Sequence, residues 1–154
     1  MRKKPTTQPP LLVIQCALSM LVIAGCEQVK LDEEVRRLCA IDGGIKVYET
    51  VTLPQDRFDR YGAIRIPSKE DAKPTDQFYY EHSTTYLRTG DPVMWRSQHR
   101  VIRATDGKLL GESVSYSRRG GDIPGPWHES SFGCPEVGIR PNLNESVFIK
   151  ADPK

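Results

Sequence analysis

Two histidines and one glutamate are the residues of this chain whose spacing best suits metal chemistry. A tight turn at residues 89–92 would place His82 opposite His99 on neighbouring strands. An Asp-Gly hairpin turn after the second strand would place Glu112 diagonal to His99 on the same face, because side chains of a strand alternate between its two faces. Two imidazoles and one carboxylate can bind zinc or a similar ion. His82, His99 and Glu112 are therefore the candidate metal ligands.

The same register also supports a purely structural interpretation, which we favour. The predicted face is rich in aromatic and aliphatic side chains, and imidazoles in such a face can hydrogen-bond to hydroxyl or carboxylate neighbours. Its members are Phe78, Tyr80, His82, Tyr86, Trp95, His99, Val101, Leu110, Glu112, Val114 and Tyr116. A register slip of one residue would move a whole strand's set to the other face. We expect no bound metal or cofactor.

Other chemistry is less well supported. Ser130 and Ser131 lie near His128, but no Gly-x-Ser-x-Gly motif surrounds them, so we predict no catalytic residue. The run at residues 118–121, Arg-Arg-Gly-Gly, could bind an anion through guanidinium and amide groups, although a solvated strand end is the simpler interpretation. Trp127 and Phe132 could be exposed binding anchors. We favour a structural role for both, as apolar cover for the sheet.

The first 26 residues have the features of an export signal. Arg2, Lys3 and Lys4 form a basic start, residues 11–23 are mostly apolar, and Ile23-Ala24-Gly25-Cys26 follows. The apolar run is shorter than the roughly 20 residues that a spanning helix needs. The tetrapeptide resembles the lipobox of bacterial lipoprotein precursors.

That resemblance implies that the chain is cut before Cys26 and that this cysteine carries lipid, typically including palmitate. We expect a signal peptide at 1–25, a lipidated leash at 26–30 and a single domain at 31–154. In lipoproteins of enteric-type bacteria, an Asp after the lipidated cysteine commonly marks inner-membrane retention. Glu27 stands at that place, which points to the outer membrane.

The charge balance of the mature chain argues against nucleic acid as a partner. The leader carries three of the 22 basic residues and none of the 20 acidic ones, so 19 remain against 20, a formal charge of −1. A nucleic-acid-binding domain generally shows a basic field. The expected partners are the membrane, through the lipid anchor, and a protein or cell-wall component of the envelope.

The cysteine count predicts a disulfide. Cys16 is lost with the leader and Cys26 takes lipid, which leaves Cys39 and Cys134 to pair in an oxidising envelope. Reactive or metal-binding thiols are the alternative, but they usually show a Cys-x-x-Cys spacing or a nearby histidine.

The hydrophobic pattern predicts an α+β domain. A short amphipathic helix is expected at about 29–41, ended by Gly43-Gly44, and an alternating strand at 45–53. A long loop follows at 54–76. Three strands, about 77–88, 93–105 and 108–118, then form a meander of two hairpins. Residues 119–135 read as a loop, and 146–150 as a last strand.

We therefore expect an N-terminal helix packed on a mostly antiparallel sheet of four or five strands. The expected role is that of a non-catalytic binding or structural module of the cell envelope. A metal-dependent enzyme or binder using His82, His99 and Glu112 is one alternative. An inhibitor of a wall-degrading enzyme is another.

Overall fold

The computed structural model of the chain describes residues 27–122, 128–134 and 142–152. The predicted leader, Cys26 and Trp127 lie outside the described residues. In chain order the elements are helix α1 (27–42), β1 (Gly44–Val47), β2 (Val51–Leu53), a 3-10 turn (Gln55–Arg57), β3 (Phe78–Arg88), β4 (Val93–Arg103), β5 (Leu109–Arg119), β6 (Ser131–Cys134), α2 (Leu143–Val147) and β7 (Phe148–Lys150).

The main sheet has five strands and is antiparallel throughout. Its order is β1-β5-β4-β3, and β6 also pairs with β5. β1 and β6 share one edge of β5, since β1 pairs with residues 111–114 and β6 with residues 116–119. A second, two-stranded sheet joins β2 and β7 in parallel. The α+β prediction, with its two-hairpin meander, is confirmed.

The first hairpin has the predicted register. His82 faces His99, and Tyr86 faces Trp95. The pairing is regular until a bulge between Tyr86 and Arg88, beside the turn. The polar turn residues and the aromatic strands therefore specified both the pairing and the face of each side chain.

The second hairpin does not have the predicted register. Its turn takes four residues, 104–107, and Arg103 N donates to Lys108 O. A bulge then places Leu109 opposite Ile102 but Gly111 opposite Val101. The longer turn shifts the pairing of β5 with β4 by two residues, which alone would leave each β5 side chain on its predicted face of the sheet. The bulge adds a single extra residue to β5, which moves the side chains that follow it to the opposite face.

Glu112 consequently lies opposite Arg100 rather than Val101, and Ser113 lies opposite His99. The predicted common face is wrong for Glu112, Val114 and Tyr116, which belong to the opposite face of the sheet.

The two faces of the sheet carry separate apolar clusters. One face packs against α2, β7 and the loop after β2, through Leu53, Ile64, Phe78, Val101, Leu110, Leu143, Val147 and Phe148. The opposite face packs against α1, through Val35, Met94, Val114 and Tyr116, with Leu31, Leu38 and Phe132 partly buried beside them.

Helix α1 is fastened to the sheet by one ion pair and one disulfide. The Arg118 side chain is only 2% exposed, and its Nε donates to Asp32 Oδ1 over 2.7 Å. At the other end of the helix, the Sγ atoms of Cys39 and Cys134 lie 2.12 Å apart, at disulfide distance, as the cysteine count predicts. The apolar stripe of the helix, the ion pair and the disulfide together fix both its position and its rotation.

The helix begins earlier than the sequence pattern indicates. Residues 27–30, predicted to be a leash, are helical, and Glu27 pairs with Arg88 at 2.6 Å. The folded domain therefore extends to the residue directly after Cys26.

The predicted strands at 45–53 and 146–150 are each broken in the structure. Residues 44–47 join the main sheet, while 51–53 join β7. At the C-terminal end, residues 143–147 form α2, whose first turn is closed by a capping box between Asn142 and Glu145. Among the described residues, no helix is long and apolar enough to cross a membrane.

The close approach of α2 to the sheet requires a glycine at position 111. A Cβ atom there would lie 2.8 Å from a methyl carbon of Val147 and 3.1 Å from the carbonyl oxygen of Lys46. Larger residues at position 111 would push α2 off the sheet and open the first apolar cluster.

We predict that Asp32→Ala lowers the free energy of unfolding by about 3 kcal/mol, because it leaves the buried Arg118 guanidinium without its carboxylate partner. Glu34→Ala is the matched control, since it removes an exposed ion pair with Arg37 on the same helix. Urea unfolding of the two variants should show a clear loss only for Asp32→Ala. Equal midpoints for both would contradict the assigned role of the buried pair.

We also predict that the bridge between Cys39 and Cys134, 95 residues apart, contributes about 4 to 5 kcal/mol on the chain-entropy model. Its removal by Cys39→Ala/Cys134→Ala should lower the unfolding midpoint sharply. Peptide mass spectrometry without reductant should recover the two cysteines joined. Free thiols at both positions in protein isolated without reductant would contradict the pairing.

Candidate functional site

On the face of the main sheet that points away from α1, the first apolar cluster occupies one half. The other half carries a group of uncharged polar and aromatic side chains. We call it the polar face. It comprises three cross-strand rows of β3, β4 and β5 residues: Tyr86, Trp95 and Ser117; Thr84, Ser97 and Ser115; His82, His99 and Ser113. Directly opposed residues share a face, and alternate residues of a strand do too.

The two histidines form one end of the polar face. Their ring centroids lie 4.3 Å apart with the planes 37° from parallel, and Thr84 Oγ1 lies 3.1 Å from His82 Nε2. Although His99 is an exposed residue, partial desolvation of its ring lowers its pKa, and the nearby His82 ring lowers it further, because a second positive charge beside the first is unfavourable.

The two large aromatic residues form the other end. Tyr86 faces Trp95 across the β3–β4 pair, and 63% of Tyr86 is exposed although its ring is large and partly apolar. Trp95 is half-buried. Beyond this row the face ends at Arg119, whose guanidinium is paired with Glu129 at 2.8 Å.

Four serines line the polar face between and beside these ends. Ser97, Ser113, Ser115 and Ser117 are half-buried, and alternate positions of β5 supply three of them. Within the described part of the chain, the hydroxyl groups of these serines make no hydrogen bonds. Each hydroxyl can donate one hydrogen bond and accept two, so the row offers unused hydrogen-bonding capacity.

Most of the charged side chains of β3, β4 and β5 lie on the opposite face and are paired there, whereas Arg103 and Arg119 lie on the side of the polar face, beyond its two ends. Arg96 contacts Asp42 at 3.0 Å, and Tyr116 donates to Asp42 over 2.6 Å. That hydrogen bond from Tyr116, followed by the bonds and charge of Arg96, lowers the pKa of Asp42. These contacts tie the C-terminal end of α1 to the sheet.

Glu112 belongs to this charged side. Its carboxylate accepts from Gln98 Nε2 over 2.6 Å and from the Tyr48 hydroxyl over 2.5 Å. The bond from Tyr48, and then that from Gln98, lowers the pKa of Glu112. Glu112 is thus a hydrogen-bonded anion on the far side of the sheet from His82 and His99.

The structure does not assemble the three predicted metal ligands. His82 and His99 are neighbours, but the bulge in β5 removes Glu112 from their face. Within residues 27–122, 128–134 and 142–152, no group of three histidine, cysteine or acidic side chains is placed to hold a metal ion. Of the three candidate ligands, the structure therefore brings together only the two histidines.

The other sequence candidates serve the fold. Arg118 is buried and donates to Asp32, to Gly120 O and to Ser130 Oγ, so it has no free surface for an anion. Gln28 donates to the same Ser130 hydroxyl over 2.6 Å. Phe132 packs in the helix-side cluster beneath Arg36, whose guanidinium carbon lies 4.4 Å from the ring centre.

Glu49 lies between β1 and β2 and forms ion pairs with Arg103 and Lys108. It fastens the second hairpin turn to the segment after β1. Sequence analysis missed Thr84, Ser97 and the β5 serines as functional candidates. Their signal was the alternation at residues 113–117, Ser-Val-Ser-Tyr-Ser, which the wrong register assigned to the other face.

Comparison of the chain with protein-family models, with curated proteins and with solved structures finds no match.

We predict that His99 titrates below its ordinary value near 6.5. Because the native state then holds its proton less tightly than the unfolded chain, the free energy of unfolding should fall as the pH drops from about 6.5 to the lowered pKa, and this contribution should level off below it. NMR titration of the imidazole signals measures the pKa directly. The variant His99→Gln should lose this part of the pH dependence of stability, and an unshifted His99 would contradict the assigned burial effect.

Proposed function

We propose that this protein is a lipid-anchored module of the bacterial cell envelope that binds its ligand without transforming it. The supporting observation for the anchor is the leader: a basic start, a short apolar run and Ile23-Ala24-Gly25-Cys26 in the order that a lipoprotein precursor requires. The disulfide between Cys39 and Cys134 is compatible with an oxidising compartment.

The geometry of the domain supports close attachment. The chain is helical from Glu27, the first described residue, and Glu27 is tied to the end of β3 through Arg88. An acyl group on Cys26 would therefore hold this end of the sheet near the bilayer. The polar face would then lie close to the membrane, on the side of the sheet away from α1.

The arrangement of side chains favours binding over catalysis. In the described ranges, the serines of the polar face make no hydrogen bond to His82 or His99, and the one hydroxyl beside an imidazole is that of Thr84, 3.1 Å from His82 Nε2. No carboxylate in those ranges hydrogen-bonds to either imidazole, so the third group of a nucleophile–base–acid arrangement is missing there. The acidic residues of the neighbouring strands are engaged in ion pairs and hydrogen bonds on the opposite face. What the polar face offers is a flat surface of aromatic rings and hydroxyls.

The anchor is tested by labelling cells with a clickable palmitate analogue. The wild type should incorporate label and partition with membranes, whereas Cys26→Ser should do neither, since each buried methylene of an acyl chain contributes about 0.8 kcal/mol of membrane affinity. Cys16→Ser, which changes a cysteine inside the predicted leader, is the matched control and should label normally. Equal labelling of Cys26→Ser and wild type would overturn the assignment.

The proposed sorting to the outer membrane has its own test. In an enteric-type host, Glu27→Asp should move the protein toward the inner-membrane fraction of a density gradient, while Glu27→Gln should leave it in the outer-membrane fraction. If wild-type protein already sediments with the inner membrane, the outer-membrane proposal is wrong. The lipid anchor is then tested only by the labelling experiment.

A further inference from the structure

The polar face is a continuous patch of nine uncharged side chains. Its boundary at the aromatic end is Arg119, which lies on the same side of β5 and is paired with Glu129. A solvated surface usually mixes both signs of charge, so an exposed patch without them calls for a specific explanation.

The kinds of side chain present point to a ligand that combines apolar surface with many hydroxyl groups. Tyrosine, tryptophan and serine are the residues that adaptable binding surfaces use: rigid aromatic area for contact and small hydroxyls for hydrogen bonding. Here Tyr86 and Trp95 supply the aromatic area. The four serines supply hydroxyls without hydrogen-bond partners among the described residues.

A sugar ring has this combination. Its C–H groups can pack on an aromatic ring, while its hydroxyls both donate and accept hydrogen bonds, as serine hydroxyls do. A charged ligand would find no opposite charge on the polar face to offset its loss of hydration.

The dimensions of the polar face suit a short run of rings. With a rise of about 3.4 Å per residue and strands about 4.8 Å apart, the area from residue 82 to 86 across three strands measures about 14 Å by about 10 Å. The aromatic row lies at one end, the serines in the middle and the histidine pair at the other. The paired ions Arg119 and Glu129 border the aromatic end.

We propose that the polar face binds a chain of uncharged sugar rings, with one ring packed on Tyr86 and Trp95 and its neighbours hydrogen-bonded to the β4 and β5 serines. This inference rests on the proposed function of a non-catalytic binding module and names its ligand class. The cell envelope presents such chains in the glycan backbone of the wall, whose N-acetylhexosamine rings carry no charge themselves.

The test uses the full chain purified from membranes in a zwitterionic detergent that contains no sugar. The tetramer of N-acetylglucosamine and cellotetraose are titrated separately, and tetragalacturonate serves as an anionic probe of the same length. We expect saturable binding of at least one uncharged tetramer and none of the anionic one. No saturable binding of either uncharged tetramer, or preference for tetragalacturonate, would overturn the proposal.

Matched variants locate the site. Thr84→Arg places bulk and charge on the polar face, while Thr85→Arg makes the same change on the other side of the same exposed strand. Tyr86→Ala removes exposed aromatic area at little structural cost. Thr84→Arg and Tyr86→Ala should each weaken binding at least tenfold, and Thr85→Arg should leave it unchanged. Equal effects of the two arginine variants, or concentration-dependent self-association blocked by Thr84→Arg in place of sugar binding, would reject the sugar site.

The same purified protein shows whether the proposed sugar site or the proposed function is wrong. Palmitate labelling reports the anchor independently of sugar binding, so loss of one with retention of the other identifies which assignment is wrong. Mass spectrometry of the tetramer after incubation should find it intact. Cleavage of the tetramer would overturn the non-catalytic proposal while supporting the polar face as the place where sugar binds.

Discussion

The buried ion pair between Arg118 and Asp32 is the contact on which the arrangement of this domain depends. A guanidinium that is 2% exposed is tolerated only when its donors are used, and here they reach Asp32, Gly120 O and Ser130. The pair joins the first half of α1 to the end of β5, and the disulfide joins its second half to β6. One helix can cover only one face of the sheet, so this attachment determines which face stays open.

The consequences extend to the distribution of charge. On the covered side, Arg96, Asp42 and Tyr116 form a connected group at the end of α1, and Glu112 is held by Gln98 and Tyr48. The opposite side is divided: α2 and β7 bury its lower half, and the upper half is the polar face. Apart from Arg103 and Arg119, the charged side chains of β3, β4 and β5 are therefore separated from the polar face by the alternation of the pleat.

The sequence predicted the elements better than the contacts between them. The first hairpin could be read because its turn residues and its aromatic strands agree on one register. In the second hairpin, Leu109 and Leu110 are consecutive apolar residues, and alternation alone does not say which of them belongs to which face. The bulge places Leu110 in the core, leaves Gly111 beneath α2, and reverses the faces of the residues that follow. This single extra residue moved Glu112 away from the histidines and placed Ser113, Ser115 and Ser117 on the same face as His82 and His99.

Other features could not be read from local pattern at all. β6 and the parallel pairing of β2 with β7 depend on contacts between residues far apart in the chain, and short strands carry little periodic signal. The early start of α1 depends on Glu27 meeting Arg88, a contact across the fold. The pairing of Cys39 with Cys134 could be predicted from the sequence, because it follows from the number of cysteines and does not depend on the register of the strands.

The most direct test of the polar face as the ligand-binding surface is site-specific photo-crosslinking in intact cells. A benzophenone amino acid at position 84 should couple a fraction of the protein to SDS-insoluble wall sacculi, from which muramidase releases it with attached sugar. The same group at position 85, on the other side of the strand, should yield little or none. Equal coupling from positions 84 and 85, or no coupling to the wall from position 84, would contradict the account.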